Sequence, residues 1–181
     1  AEDVAALQGF YGGRADPLWT KDGAYNERGK AIITELKKAD DWGLNAATYA
    51  VVDPASGANA DALAEAEAKL SFAALAYARH ARGGRVDPVS LSNILDMKPP
   101  VKDPKEVIAA LSTSGEPDVY LRGLNPKHPQ FEALRQALLK ARGPAQPEAP
   151  IDEALKVKLP EGKTLKKGIE HDDVALLRKR L

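Results

Sequence analysis

The residues from about Ala60 to Ala81 repeat alanine and leucine at helical spacing, and they form the strongest regular pattern in the chain. One apolar stripe contains Leu63, Ala66, Leu70, Ala73, Tyr77 and Ala81, while Phe72 and Leu75 lie off that stripe. A helix that is apolar on more than one face is buried by several neighbours. The pattern therefore predicts a central helix that ends at Gly83-Gly84 and around which other elements pack.

Further helical patterns lie on both sides of this central helix, beginning with a short one at the N-terminal end of the sequence. Asn26 is suited to cap a helix that runs to about residue 42, and Gly43 is suited to end it. Asp103, followed by proline, opens another helix, and two more are predicted over 117–121 and 126–142. Alternating strand patterns are absent from this region. The predicted fold class is therefore all-α, an irregular helical bundle.

The composition changes after residue 142, which suggests a domain boundary. Residues 143–150 contain three prolines and are predicted to be a linker between a helical domain, 1–142, and a second segment, 151–181. Lys156 to Leu159 alternate as in a short strand, and Asp172 or Asp173 can cap a helix that runs to the end of the sequence. We therefore expect a short, partial β/α appendage in this second segment.

Charge and cysteine content exclude several kinds of protein. The 26 basic residues equal the 26 acidic ones, which argues against a dedicated nucleic-acid binder because such proteins gain affinity by neutralising phosphates. The absence of cysteine excludes a disulfide, a thiolate zinc site and a cysteine nucleophile. The apolar stretches are short and interrupted by charge, so the sequence predicts no membrane span.

Motifs for catalysis or for metal and cofactor binding are also missing. The histidines, His80, His128 and His171, are far apart in the sequence, and no spacing predicts that they converge on a metal ion. The serines lack a nucleophile-elbow context, and there is no glycine-rich phosphate-binding motif. Adjacent aspartates, as at 172–173, are explained by helix capping. The sequence therefore predicts no metal, no cofactor and no catalytic residue.

Two groups of residues are candidates for ligand or partner contacts. Arg79, Arg82 and Arg85 lie around the end of the central helix, where cations complement the helix dipole or can hold a carboxylate of a peptide or of a partner domain. The aromatic residues Trp19, Trp42, Tyr49 and Tyr77 are candidates for sugar stacking, with core packing as the alternative.

Four segments in succession resemble the helical scaffold region of the large periplasmic L,D-transpeptidases. They are Phe10-Tyr11 with Arg14 and Pro17-Leu18-Trp19; Ala39 to Leu44 with Tyr49; Tyr77 to His80 through Gly84 to Pro88; and His128 to Phe131 with Leu134, Arg135 and Arg142. Residues 165–168 and 173–181 are similar to the start of the peptidoglycan-binding-like module that follows that scaffold. The resemblance covers nearly the whole chain.

The resemblance implies a periplasmic protein that takes part in peptidoglycan cross-linking. The family transfers acyl groups with a cysteine in a Ser-x-Gly-Cys segment that follows a His-Gly segment, and both segments are missing here. The chain is thus expected to be a non-catalytic scaffold that orients the catalytic domain of the same polypeptide and contacts peptidoglycan. Two alternatives stay open: a stand-alone peptidoglycan-binding module, and a helical muramidase-like hydrolase that would need a buried, perturbed carboxylate in a cleft.

Overall fold

The computed structural model describes residues 2–55, 58–92 and 94–143, and its architecture is helical. The described helices are α1 (Glu2–Gly12), α2 (Glu27–Lys37), α3 (Ala60–Ala81), α4 (Pro88–Leu91), α5 (Pro104–Thr113), α6 (Pro117–Arg122) and α7 (Pro129–Arg142). Two 3-10 turns follow α2, over Ala39–Trp42 and Ala46–Tyr49. The predicted all-α class is confirmed for these residues, and none of the described helices combines the length and hydropathy of a membrane-spanning segment.

The helix ends follow from the capping residues of the sequence. The side chains of Asn26 and Asn59 accept hydrogen bonds from the N–H groups of Gly29 and Ala62, both at 2.9 Å. Each bond satisfies a donor that the first turn of a helix leaves without a partner inside the helix. Gly43 adopts a left-handed conformation with φ 75°, which ends the helical path after the 3-10 turn.

A small hairpin interrupts the helical pattern between α1 and α2. Strands β1 (Thr20–Lys21) and β2 (Ala24–Tyr25) pair antiparallel, with Thr20 opposite Tyr25. The turn residues Asp22 and Gly23 have φ values of 51° and 82°, and Asp-Gly is a preferred pair for such a two-residue turn. No strand was predicted in this region from the sequence, although the Asp-Gly pair signals the hairpin.

Helix α3 lies at the centre of the core, as its apolar pattern predicts. Leu70, Ala74 and Tyr77 on α3 are completely buried, because α1, α2, α5 and α6 all pack against this helix. Full burial of a large apolar side chain stabilises a fold by about 1.5–3 kcal/mol. The central helix therefore organises the domain.

The chain divides into two compact units, residues 1–141 and 142–181. The described residues belong almost entirely to the first unit, and they carry all of the elements named above. The predicted linker at 143–150 and the predicted β/α appendage at 151–181 lie outside the described residues, apart from Gly143.

Candidate functional site

The carboxylate of Glu67 on α3 is buried and anchors the segment that follows α1. Its Oε1 atom accepts hydrogen bonds from the Tyr11 hydroxyl at 2.9 Å and from the backbone N–H of Leu18. Oε2 accepts from the Trp19 N–H at 2.9 Å and from the Thr20 hydroxyl at 3.1 Å. All of the partners are donors, as a carboxylate requires. Glu67 thereby fixes the chain over 18–20 against α3.

A chain of hydrogen bonds extends from this carboxylate to the indole of Trp19. The indole N–H, which is only a donor, donates to Ser71 Oγ at 2.8 Å. Ser71 Oγ lies 2.8 Å from the Tyr11 hydroxyl oxygen, and the Tyr11 proton goes to Glu67. The Ser71 hydroxyl must therefore donate to Tyr11, so each hydrogen bond of this series is donated in the direction of the carboxylate. Burial raises the pKa of Tyr11, and the neighbouring Glu67 adds to the rise.

A groove of about 760 Å³ is lined by α1, by the segment that follows it and by the first half of α3, and Glu67 is one of the lining residues. Val4, Leu7, Leu63 and Phe72 are among the apolar residues that line it, so it is mostly apolar. A muramidase-like site would need a carboxyl group there that can deliver a proton. The Glu67 carboxylate accepts hydrogen bonds from two backbone N–H groups, which can only donate. Its geometry therefore suits an anion that anchors the fold.

The predicted partner residues Tyr49, Arg79, Arg82 and Arg85 lie around the C-terminal end of α3. The Tyr49 hydroxyl lies 2.8 Å from Nδ1 of His80 on that helix. Burial lowers the pKa of His80, and the nearby Arg79 and Arg85 lower it further. The hydrogen bond between the two side chains ties the second 3-10 turn to the end of α3.

The three arginines of this group have different environments. Arg79 pairs with Asp3 of α1 at 2.6 Å, and Arg82 donates from Nε to the Pro100 carbonyl oxygen at 2.9 Å. Arg85 is exposed and makes no hydrogen bond or ion pair with any other described residue. Arg85 is thus the arginine of this group that is available to a carboxylate on another molecule.

Arg85 begins a segment, here called the apolar loop, which comprises residues 85–101 except residue 93, which is not described. Its ends are held together, because Val101 lies against Gly84 and Pro99 against Gly83. Twelve large hydrophobic side chains are exposed among the described residues, and seven of them lie in this loop: Val86, Val89, Leu91, Ile94, Leu95, Met97 and Val101. Ile94 is 89% exposed and Met97 is 73% exposed. Such a concentration on one segment is typical of an interaction surface.

Trp42 lines a smaller cavity of about 370 Å³, here called the Trp42 pocket. Its indole is half-buried and lies parallel to the ring of Phe131 on α7, at 6.5 Å between ring centroids. The guanidinium of Arg135 lies 4.5 Å from the indole centroid. The cavity is lined by Trp42, Val119, Arg122, Gly123, Asn125, Pro126, Lys127 and Glu132. It therefore combines one aromatic side chain with several polar ones.

Arg122 connects this pocket to a second buried carboxylate. Glu35 on α2 is 1% exposed, and its Oε2 accepts from Arg122 Nε at 3.1 Å and Nη2 at 2.9 Å. The other oxygen, Oε1, is buried without a hydrogen-bond partner among the described residues. Next to this pair, Asn125 donates to the Tyr77 hydroxyl at 2.9 Å, and burial raises the pKa of Tyr77 to about 12.

The structure thus separates the residues that the sequence analysis grouped as aromatic candidates. Trp19, Tyr49 and Tyr77 are buried in the core, while Trp42 lines a cavity. Sequence reasoning missed Glu67 and Glu35, because a glutamate in a helix ordinarily lies in solvent. For Glu67, the sequence does contain one sign of burial. Leu63, four residues before it, and Leu70, three residues after it, both belong to the apolar stripe of the central helix.

No group of three or more acidic or histidine side chains is placed to hold a metal ion within the part of the chain that the structure describes. A family model described as Scaffold domain matches residues 5–138. This match spans well over half of the sequence, and the chain belongs to the Scaffold domain family. Comparison with curated proteins and with solved structures gave no match. The family description indicates a non-catalytic role.

Proposed function

We propose that this member of the Scaffold domain family is the non-catalytic scaffold of a periplasmic L,D-transpeptidase that cross-links peptidoglycan. In this proposal, the apolar loop binds and orients the catalytic domain of the same polypeptide. The observation that carries the proposal is the concentration of exposed apolar side chains on one loop whose ends are fixed to the core.

The environment of the loop is suited to a protein partner. Exposed valine, leucine, isoleucine and methionine side chains gain free energy when a partner covers them, at about 25 cal/mol per Å² of apolar area. Arg85 at the start of the loop can pair with a carboxylate at the edge of the interface, which favours one orientation of the partner. Because the contacts at Gly83 and Gly84 hold the loop ends together, the partner has less loop entropy to overcome.

The affiliation with L,D-transpeptidases is supported by the succession of segments that resemble their scaffold region. Sequencing the reading frame beyond the Leu181 codon tests it directly. We expect a His-Gly segment followed by Ser-x-Gly-Cys in the same frame. A frame that continues into an unrelated domain, or stops, contradicts this part of the proposal.

The role of the loop is tested in the full-length polypeptide with the double substitution Ile94→Ser and Met97→Ser. We expect faster proteolytic cleavage between the scaffold and the catalytic domain, together with reduced transpeptidation, because the two domains no longer hold each other. Val52→Ser is the matched control, since Val52 is 85% exposed and lies outside the loop. Equal cleavage rates and activities in the two variants would show that the loop does not hold the catalytic domain.

A stand-alone peptidoglycan-binding module is the second candidate, and the Trp42 pocket is the observation that favours it. Pull-down with purified peptidoglycan sacculi separates the two candidates. Retention of the chain that is lost on Trp42→Ala supports the binding module, whereas no retention leaves the scaffold proposal as the stronger one.

A further inference from the structure

We infer that the Trp42 pocket is a binding site for a sugar ring that carries one carboxylate. The inference stands on the lining of the pocket and does not depend on the proposed function. Its volume of about 370 Å³ lies near the lower end of the range of about 300–1,000 Å³ that is usual for small-molecule sites. One small ring fits that volume better than an extended polymer.

The aromatic component of the site is the indole of Trp42. The Phe131 ring and the Arg135 guanidinium lie against this indole, so its orientation is fixed before any ligand arrives. An indole offers an apolar surface to the C–H face of a sugar ring, and its position beside polar groups suits a ligand that is apolar on one face and polar at its edge. The other tryptophan, Trp19, is fully buried and cannot serve this purpose.

The polar component of the site consists mainly of donors. Arg122 uses Nε and Nη2 to bind Glu35 and Asp118, and none of the hydrogen bonds among the described residues uses its Nη1 atom. Lys127 is exposed and has no ion-pair or hydrogen-bond partner among the described residues. Both groups are suited to donate to the oxygen atoms of a ligand.

The ion pairs of the lining restrict the chemistry of the ligand further. Arg122 is paired with the carboxylates of Glu35 and Asp118. The Glu132 carboxylate is paired in the same way with Arg135, whose hydrogen bonds, with that of Gln136, lower the pKa of Glu132 to about 2. Lys127 is then the charged lining residue that has no ion-pair partner among the described residues. A single carboxylate on the ligand would supply this partner.

The test uses glucuronate, glucose and acetate as probes and the two indole N–H signals in 15N-resolved NMR spectra as the readout. The chain contains two tryptophans, so the two signals can be assigned with Trp42→Phe. Titration with glucuronate is expected to shift the Trp42 signal in a saturable way and to leave the Trp19 signal unchanged. Glucose is expected to bind several-fold more weakly than glucuronate, and acetate is expected not to shift the signal at the same concentration.

Lys127→Gln tests the charge without removing the aromatic surface. We expect this variant to bind glucuronate up to about fivefold more weakly, the limit for an exposed ion pair, and to bind glucose as before. Lys140→Gln is the matched control, because Lys140 is exposed on α7 and does not line the pocket. The inference is overturned if no probe gives a saturable shift, if acetate gives the same shift as glucuronate, or if Lys127→Gln and Lys140→Gln bind glucuronate equally. None of these results bears on the apolar loop, so failure here is distinguishable from failure of the proposed function.

Discussion

Replacing Glu67 by glutamine tests whether the buried carboxylate holds the segment after α1 against α3. The change keeps the shape of the side chain but removes its negative charge and replaces one acceptor oxygen by a donor. In the native structure the two oxygens accept bonds from the hydroxyls of Tyr11 and Thr20 and from the backbone N–H groups of Leu18 and Trp19. Glutamine cannot satisfy all of these donors.

The expected loss of stability follows from the types of bond involved. A hydrogen bond to a charged group contributes about 1.5–3 kcal/mol, against about 0.5–1.5 kcal/mol for a neutral one. The glutamine oxygen can take the position of Oε1, which leaves the amide group facing the Trp19 N–H. The Thr20 hydroxyl can rotate to accept from that amide, so part of the loss is recovered. We expect Glu67→Gln to lower the free energy of unfolding by about 2–4 kcal/mol, a large part of the roughly 5–15 kcal/mol that is usual for a domain.

Urea unfolding, followed by the fluorescence of the buried Trp19, measures this loss. Glu65→Gln is the matched control, since Glu65 lies on the same helix, is 65% exposed and pairs with Lys69 at 2.7 Å. An exposed pair of this kind contributes little to stability because water screens it. If the two variants unfold at the same urea concentration with equal slopes, the four donors do not depend on Glu67 and the reasoning is refuted.

Three further predictions concern other parts of the core. Arg122→Met is expected to lower the free energy of unfolding by about 2–4 kcal/mol, because it leaves the Glu35 carboxylate charged, buried and without its cation. This loss should be larger than the loss caused by Glu35→Gln. A larger loss for Glu35→Gln in urea unfolding would contradict the pairing. Gly29→Ala should destabilise, because the new methyl group would lie 2.7 Å from a backbone carbonyl oxygen, whereas Gly9→Ala should stabilise by about 0.5–1 kcal/mol because that helical position has open space. In thermal unfolding, shifts of equal sign would be the contrary result. Tyr77 has a pKa raised to about 12, so its contribution to stability is complete below pH 10 and is lost as the pH rises from 10 to 12. Tyr77→Phe should make the fall of stability between pH 10 and 12 shallower by about 1.4 kcal/mol per pH unit. An unchanged slope would be evidence against this role of Tyr77.

Features that depend on neighbours in the sequence could be predicted without the structure. Asn26 and Asp103 cap the helices that they were expected to cap, whereas the helix that Gly43 was expected to end stops at Lys37, and Gly43 ends the 3-10 turn that follows it. Capping depends on side-chain atoms that reach only two or three residues along the chain, so the sequence contains all of the participants. The central helix was predictable for a similar reason, since its period of apolar residues is local.

Features that depend on distant partners could not be predicted in this way. Glu67 binds donors that lie 47 to 56 residues earlier in the chain. Glu35 binds a guanidinium 87 residues later. No local pattern brings these groups together, and a single sequence gives no measure of spatial proximity. The two tryptophans illustrate the same limit, because Trp19 is buried while Trp42 lines a cavity.

The buried hydrogen bonds and the exposed surfaces of this domain can be separated by experiment because they involve different residues. Glu67 fixes residues 18–20 from inside the fold, and none of its partners lies in the apolar loop or lines the Trp42 pocket. Substitutions at Ile94, Met97 or Lys127 remove exposed groups that make no contact required by the core, so they should change binding while stability stays within about 0.5 kcal/mol. A scaffold needs this arrangement, because a loop or pocket can orient a partner only when the structure that carries it keeps its conformation on binding. If surface substitutions lowered stability as much as Glu67→Gln does, the loop and the pocket would be parts of the core, and neither proposal about binding would hold.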